Sequence, residues 1–337
     1  INGDGKPDLF VGGRVVPGRY PETPTSYLLI NETTNGIPRF TDKTAALAPM
    51  LSQLGMVTDA AWIDLNKDRK PELVVVGEWM PITILGSNNG RLTDQTKTYL
   101  DKDYRGWWNK VLIDDFNNDG RPDLIVGNQG LNTQCRASDK EPAELYYKDF
   151  DNNGKIDPIL CLYVQGKSYP HATRDELLEQ LGMLRHRFTN YDSYSNATLT
   201  DVFKKEEIQD AKRLTANCLT TTAFMSTPSG KLTEKTLPLS AQTSPVFTIT
   251  SLDYNQDGRK DLLLCGNTTQ VRLRFGRSDA NNGLLMKGDG KGNFQALPQT
   301  QSGFGVEGDV RSVVSVGNNL LFGINQRPLQ AYSVQKP

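Results

Sequence analysis

The stretch that decides the fold of this 337-residue chain reads Asp115-Phe116-Asn117-Asn118-Asp119-Gly120-Arg121-Pro122-Asp123 and continues into the apolar run 124–127. Oxygen-bearing side chains stand at its first, third, fifth and ninth positions, and the backbone carbonyl of the seventh position adds another oxygen. Calcium binds about six to eight oxygen atoms in a flexible geometry. A helix-flanked calcium loop would carry glutamate at its twelfth position, whereas Val126 stands there, inside the apolar run. We therefore predict a calcium-binding loop between two β-strands.

The pattern recurs at four other places in the chain. Copies begin at Asp64, Asp149 and Asp253, and the chain opens inside a fifth copy whose first ligand would precede Ile1. In the Asp64 copy, Arg69 replaces the glycine. A single copy could be a metal-free turn, because Asp, Asn and Gly are ordinary turn residues, but the repetition favours calcium. The predicted ligands, in which each Lys or Arg contributes its backbone carbonyl, are Asn2, Asp4, Lys6, Asp8, Asp64, Asn66, Asp68, Lys70, Glu72, Asp115, Asn117, Asp119, Arg121, Asp123, Asp149, Asp151, Asn153, Lys155, Asp157, Asp253, Asn255, Asp257, Arg259 and Asp261.

Each copy lies within a similar set of predicted strands. A strand such as 57–63 leads into the loop, a strongly apolar strand such as 73–76 leaves it, and a polar hairpin such as 82–96 follows. Four short strands in a repeat of roughly 50–60 residues are typical of a β-propeller blade. We therefore predict an all-β chain, with residues 1–337 forming a single β-propeller domain of about 6–7 four-stranded blades. Because the chain opens inside a copy, we expect a fragment of a longer chain with a truncated first blade.

One segment departs from the β pattern. Residues 171–214 are predicted to form an α-helical insertion within the propeller. It begins with a capping box, in which Thr173 stands three residues before Glu176, and apolar residues then recur at helical spacing. The loops centred on Asp119 and Asn153 are close together in the sequence, so the pattern leaves open which strands complete the blade between them.

Composition and motifs exclude several classes of protein. The formal net charge is −1, which does not indicate a nucleic-acid-binding protein. No apolar segment approaches the roughly 20 residues that span a bilayer. The four cysteines lack the spacing of a disulfide framework or a zinc site. No nucleophile elbow, zinc-protease motif or phosphate-binding loop is found. We therefore expect no catalytic residues.

The repeats resemble the VCBS/FG-GAP family, whose blades build the head of the integrin α-subunit and many bacterial surface proteins. Residues 115–127 and 253–266 match its signature closely. Other stretches, among them Gly12 to Gly18 and Gly127 to Asn132, resemble the large bacterial VCBS-repeat proteins that often carry an ASPIC/UnbV domain. The resemblance implies a propeller that is stabilised by several calcium ions and exported from the cell. It implies no settled activity, because one fold carries many functions.

The direction in which the chain runs through each blade predicts the face of the propeller on which a ligand would bind. The calcium loops join the first and second strands of each blade, so they share one face. The longer and more varied loops, including the one with Arg272, Arg274 and Arg277, fall on the opposite face together with the helical insertion. Loops of this kind usually carry function, and Trp, Tyr and Arg are frequent anchors. One of the two adjacent tryptophans could instead pack between blades. The predicted ligand-binding residues are Arg19, Tyr20, Trp79, Arg105, Trp107 and Trp108.

These features lead to one functional hypothesis and two alternatives. The hypothesis is a non-enzymatic, monomeric calcium-binding scaffold, located in the periplasm or at the surface of a bacterium, that binds a protein or a glycan. One alternative is a polysaccharide-active lyase or hydrolase with structural calcium. The other is a purely structural module of a larger surface protein. Loops of moderate charge bind calcium in the range of about 10⁻⁴–10⁻³ M found in extracellular modules, which is why we expect an extracytoplasmic location.

Overall fold

The computed structural model describes residues 1–334 and is all-β. Its strands form six antiparallel sheets, and its helices are short. Five sheets follow one another along the chain, and we call them sheets I to V. The sixth, which we call the inserted sheet, interrupts sheet III. In the described part of the chain, no helix is long and apolar enough to cross a membrane.

Sheets I and II come first. Sheet I has three strands and sheet II has five, because a short fifth strand pairs with the far end of the second strand of that sheet. The strands of sheet I are β1 (Leu9–Val11), β2 (Tyr27–Asn31) and β3 (Phe40–Asp42). The strands of sheet II are β4 (Met56–Ile63), β5 (Glu72–Pro81), β6 (Thr83–Asn88), β7 (Arg91–Asp94) and β8 (Arg105–Trp107).

Sheet III begins with β9 (Lys110–Asp114) and β10 (Asp123–Gly127). The chain then leaves it and forms the inserted sheet, whose strands are β11 (Ala143–Lys148), β12 (Asp157–Val164), β13 (Lys167–Pro170) and β14 (Lys212–Ala216). It returns with β15 (Thr222–Ser226) and β16 (Leu232–Thr236), and β15 pairs directly with β10. The strands that complete the sheet after the Asp115 loop are therefore found about a hundred residues later, which resolves the alternative left open by the spacing.

Sheets IV and V complete the described chain. Sheet IV has four strands in sequential order, and sheet V has three. Their strands are β17 (Val246–Leu252), β18 (Asp261–Gly266), β19 (Leu284–Gly288) and β20 (Phe294–Ala296), then β21 (Val310–Val316), β22 (Asn319–Ile324) and β23 (Gln330–Ser333).

The helical elements lie between strands and within the insertion. Those of the insertion fall between β13 and β14, inside the segment in which helix was expected. The α-helices are α1 (Thr44–Leu47), α2 (Thr96–Tyr99), α3 (Arg174–Gln180), α4 (Asp192–Ser195), α5 (Leu199–Val202), α6 (Lys205–Ile208) and α7 (Gln299–Ser302). The 3₁₀ turns are Pro49–Gln53, Gly182–His186, Leu239–Gln242 and Leu273–Phe275.

The sheets pack in series through their inner strands. Strand β9 contacts both β4 and β17, and β17 in turn contacts β21. The strands that leave the Asp64, Asp115 and Asp253 loops are buried on both faces: in β10, Leu124 and Val126 join the core with sheet II, while Ile125 joins the core with sheet IV. Ion pairs support two of these contacts, with 2.9 Å between Lys110 Nζ and Asp59 and 3.1 Å between Lys260 Nζ and Asp114. Burial from both sides explains why these strands are apolar at nearly every position.

Residues 128–221, which we call the inserted module, lie across the ends of the series. One face of the inserted sheet packs through Leu145 and Leu162 onto Met56 and Trp79 of sheet II. Its other face packs onto the helices, where the rings of Phe150 and Phe203 stack at 4.3 Å. The Asp149 loop was expected to share a face with the other acidic loops. Because the inserted sheet lies across the strand ends and not within the series, that placement is wrong.

Candidate functional site

The Asp115 loop is organised by side-chain oxygens that accept backbone N–H groups. Asp115 accepts from Asp119 N at 3.2 Å and from Gly120 N at 2.7 Å. Asn117 accepts from Asp119 N at 3.0 Å, and Asp119 accepts from Arg121 N at 2.9 Å. The alternate oxygens therefore bend the chain back on itself, because each one captures an N–H group two to five residues later.

The same hydrogen bonds recur in the loops that begin at Asp64, Asp149 and Asp253. In each loop, the carboxylate of the first residue accepts the backbone N–H groups of the fifth and sixth residues. The side chain of the third residue also accepts the N–H of the fifth, and the side chain of the fifth accepts the N–H of the seventh. At the start of the chain, Asn2 accepts from Asp4 N at 3.2 Å and Asp4 from Lys6 N at 2.9 Å. The five copies are thus one repeated local structure.

The residues at the fourth and sixth positions of each loop adopt positive φ. At the sixth position the value is +75° in Gly120 and +68° in Arg69. Glycine reaches this region without steric cost, whereas a side chain raises the conformational energy by about 1–2 kcal/mol. The Asp64 loop therefore keeps the shape of its relatives while carrying local strain.

The ninth residue of each loop ties the loop to its sheet. Asp123 is fully buried, and its two oxygens accept from Phe116 N at 3.0 Å and from Ser226 N at 2.7 Å. Asp261 makes the equivalent bonds to Tyr254 N at 3.1 Å and Gly288 N at 2.9 Å. Burial raises the pKa of both carboxyl groups, and the neighbouring loop carboxylates add to the effect. A bound cation would act in the opposite direction.

The donor set fits calcium. In the Asp149 loop, Asp149, Asp151 and Asp157 each offer a carboxylate oxygen, and the three oxygens lie within 4.8 Å of one another. Carboxylate, amide and carbonyl oxygens are the ligands that calcium prefers. The Asp64 loop fits less well, because Lys67, Arg69 and Lys70 add positive charge to it.

The acidic loops divide between two faces. The Asp64 and Asp115 loops lie side by side, since a Cβ built on Gly120 would be 3.9 Å from Lys67 Nζ. The Asp149 loop lies elsewhere, near Arg19. Glu22 raises the pKa of Arg19 most strongly, through a hydrogen bond and its charge, and the charge of Asp149 adds to this.

A cavity of 970 Å³ lies on the face opposite the Asp64 and Asp115 loops. Its walls come from the far end of β5, the segment 129–136, the inserted sheet and the loop 268–278. Of the six residues predicted to bind a ligand, Tyr20, Trp79 and Trp107 line it. The structure therefore brings together three predicted residues that are widely separated in the sequence.

A chain of polar contacts fixes these side chains. Trp79 Nε1 donates to Tyr20 Oη at 3.0 Å, and Tyr20 Oη donates to Glu78 Oε1 at 3.5 Å. Glu78 Oε2 is 2.7 Å from Arg14 Nη2. Burial, followed by the charge of Glu78, raises the pKa of Tyr20, so its hydroxyl stays protonated. Trp79 and Trp107 meet edge to face, with ring centroids 5.1 Å apart.

Trp79 also has unusual backbone geometry. Its φ is +59°, and the pairing of β5 with β8 shifts register between Glu78 and Met80. A bulky residue in this region stores about 1–3 kcal/mol of strain, and such strain is common at functional sites. The bulge turns the Trp79 ring towards Trp107 and Tyr20, which forms the aromatic part of the cavity wall.

The other predicted ligand-binding residues lie outside the cavity. Trp108 is fully buried in the core between sheets II and III, where its Nε1 donates to Tyr104 O at 3.3 Å. Its expected place on a ligand-binding surface is wrong, because the alternation of a strand turns adjacent side chains to opposite sides. Arg19 is engaged with Glu22, with 2.8 Å between Arg19 Nη2 and Glu22 Oε1. Arg105 lies 3.5 Å from Asp103.

The rim of the cavity includes residues that sequence reasoning did not select. The guanidinium of Arg274 contacts His171 and Glu176 of the inserted module, and the His171 ring stacks on Phe275 at 5.3 Å. Gln134 Nε2 donates to Arg274 O at 2.8 Å. Three segments far apart in the sequence thus meet at Arg274. The arginines at 272, 274 and 277 were the signal by which the sequence placed this loop on the ligand-binding face, although none of them was among the predicted ligand-binding residues.

The family comparison supports the repeat assignment. Residues 64–126 match the model of the FG-GAP-like repeat. This stretch contains both the Asp64 and the Asp115 loops and ends within β10. The comparison with curated proteins gave no match. The prediction that this chain carries repeats of the FG-GAP/VCBS family is therefore confirmed for residues 64–126, which form an FG-GAP-like repeat.

Proposed function

We propose that this protein is a non-enzymatic, calcium-stabilised binding module that works outside the cytoplasm and holds a protein or glycan ligand in the cavity described above. The observation that carries the proposal is the cavity itself. Its walls come from dissimilar loops, whereas the acidic loops on the other face repeat one design. A binding site that occurs once in the molecule has to be built from loops that differ from one another. Loops on a rigid scaffold are also the usual place for binding.

The scaffold of this proposal is a propeller. Sheets II to V pack in series through their inner strands, and sheet I shares a core with sheet II, as successive blades do. A count of six or seven blades and a single domain over residues 1–337 stay predictions, and residues 335–337 lie outside the described part of the chain. Small-angle scattering of the purified protein tests the shape: a compact disc-like particle supports the proposal, and an extended arc contradicts it.

Calcium would be held by the first, third, fifth and ninth side chains of each loop and by the carbonyl of the seventh residue. The ion would supply positive charge to carboxylates that otherwise repel one another. A ligand that binds only the folded state stabilises it by about 2.7 kcal/mol per site at a hundredfold excess over its Kd. We expect the melting temperature to rise strongly with calcium and less with magnesium, which prefers a tight octahedral shell. An unchanged melting temperature after chelation of a metal-loaded sample would count against calcium.

A matched pair of variants tests the loops individually. Asp119→Ala removes a ligand from a loop with glycine at its sixth position, and Asp68→Ala removes the equivalent ligand from the strained Asp64 loop. We expect Asp119→Ala to lose more of the calcium-dependent stabilisation. Equal losses would mean that Arg69 does not weaken the metal site.

The proposed location follows from the weak calcium affinity that we expect of these loops. Sites with Kd values of about 10⁻⁴–10⁻³ M fill outside the cell and stay empty at cytosolic calcium levels. Calorimetry that gave sub-micromolar affinity for every loop would remove this argument for export.

Binding is tested with a glycan and protein array followed by product analysis of any hit. Phe275→Ala should weaken a hit and leave calcium-dependent melting in place, because the Phe275 ring lines the cavity and is 43% exposed. Arg19→Ala should leave the hit unchanged, since Arg19 is engaged with Glu22 outside the cavity. Turnover of a bound polysaccharide would favour the enzyme instead. A protein that binds nothing on the array would favour a purely structural module.

A further inference from the structure

The cavity carries an excess of positive charge. Three arginines line it: Arg136, Arg272 and Arg277. Within residues 1–334, none of the three forms an ion pair with an acidic side chain. Arg274 of the same loop behaves differently, because it is held by Glu176 and His171. One arginine of this loop thus supports the structure, while its two neighbours keep their guanidinium groups available.

The one carboxylate in the cavity wall does not offset this charge. Glu78 is already paired with Arg14, with 2.7 Å between Oε2 and Nη2. Its other oxygen accepts from Tyr20 at 3.5 Å. A ligand therefore meets positive charge from the arginines without a free negative partner, and guanidinium groups bind carboxylate and sulfate oxygens through paired hydrogen bonds.

The remaining walls are aromatic and apolar. Trp107, Tyr20 and Phe275 line the cavity, and the buried ring of Trp79 supports the first two from behind. Flat rings favour ligands with flat apolar faces, and the C–H-rich face of a pyranose ring is one such surface. The volume of 970 Å³ lies at the upper end of the range for small-ligand sites, which suits several linked rings better than one.

We propose that the cavity binds an oligosaccharide that carries acidic groups, with its sugar rings packed on Trp107 and Phe275 and its acidic groups on Arg272 and Arg277. This inference rests on the proposed binding function and narrows its ligand to one class. The acidic groups are carboxylates of uronic acids or sulfate esters, which share the chemistry that the arginines recognise. A folded protein partner fits less well, because a stable protein interface spreads over about 800 Å² on each side, whereas the arginines and aromatic rings here are gathered within one cavity.

The test compares one probe with and without its charge, and then with a second probe whose acidic groups are sulfate esters. Binding of an oligogalacturonate pentamer, its methyl-esterified form and a sulfated galactan oligosaccharide is measured by calorimetry at fixed calcium and two salt concentrations. We expect the esterified probe to bind at least about tenfold more weakly than the free acid, because it loses its charge-assisted hydrogen bonds. Preference between the carboxylated and sulfated probes identifies the source of the acidic group.

Variants locate the site. Arg272→Gln combined with Arg277→Gln should weaken binding at least about tenfold and reduce its salt dependence, since fewer charge contacts remain to be screened. Arg91→Gln is the matched control, because Arg91 is an exposed arginine of the β6–β7 hairpin outside the cavity. Calcium-dependent melting reports on folding in every variant.

Several results would overturn the inference. Equal affinity for the acid and its ester would show that charge is not recognised, and unchanged binding in the double arginine variant would put the site elsewhere. Tighter binding of a short oligothymidylate would indicate a single-stranded nucleic acid, which also uses aromatic rings and arginines. If none of the saccharides binds but a protein from the array still binds and is lost in Phe275→Ala, the binding function stands and the ligand class is wrong.

Discussion

Replacing Asp123 by alanine separates two roles of the ninth loop residue. Its side chain is fully buried, and its two oxygens accept the N–H groups of Phe116 and Ser226 at 3.0 and 2.7 Å. The variant leaves both donors without acceptors. Each unsatisfied buried group destabilises the fold by about 1–3 kcal/mol, so we expect a loss of about 2–6 kcal/mol before any metal is considered. This is a large part of the roughly 5–15 kcal/mol by which a domain is stable.

The assay is urea unfolding in chelator and again in calcium. Asp119→Ala is the matched control, because Asp119 lies in the same loop at the surface, where it accepts from Arg121 N and pairs with the Arg121 guanidinium at 3.6 Å. In chelator we expect Asp123→Ala to lower the free energy of unfolding several times more than Asp119→Ala. Asp123→Asn keeps one carbonyl acceptor and should fall between them. Equal effects of the two alanine variants in chelator would refute the reasoning and leave Asp123 as a metal ligand alone.

Three further predictions concern strain and pH. Arg69→Gly should stabilise the folded state by up to about 1 kcal/mol, measured by urea unfolding, because it removes the cost of a side chain at φ +68°. Burial, and then the charge of Arg274, lower the pKa of His171 from 6.5, so protonation disfavours the folded rim. The opening equilibrium of this loop, obtained by dividing the hydrogen-exchange rate by the intrinsic amide rate at each pH, should therefore rise as pH falls below about 6.5, although the charge of Glu176 opposes this. It should not rise in His171→Gln. Arg187 lowers the pKa of Glu207 from 4.5 to about 2, so the stabilisation from this pair is present above pH 4.5 and is lost as pH falls towards 2. Glu207→Gln should remove that pH dependence from proteolysis of the insertion.

Local chemistry made the loops and their strands predictable. The nine-residue pattern contains the atoms that fold it, since each side-chain oxygen captures an N–H group within five residues. The apolar run after the loop likewise reports burial on both faces, as Leu124 and Ile125 show by joining different cores. These features depend on neighbours along the chain, so one sequence suffices to find them.

Long-range pairing was not predictable in this way. Nothing in Thr222–Ser226 indicates that it pairs with β10 across the inserted module, because hairpin spacing carries information only about adjacent strands. Trp107 and Trp108 look alike in the sequence, yet one lines the cavity and the other is fully buried. Strand alternation predicts that they point to opposite sides but not which side is the core.

The point at which the inserted module leaves sheet III bears on how such proteins diversify. Its two ends adjoin neighbouring antiparallel strands and meet, with Asn128 N donating to Thr221 Oγ1 at 3.1 Å. A hairpin turn could join the same two positions without disturbing β10 or β15. The module is therefore exchangeable: a lineage could lengthen, shorten or replace it, and so alter one wall of the cavity, while the acidic loops on the opposite face stay as they are.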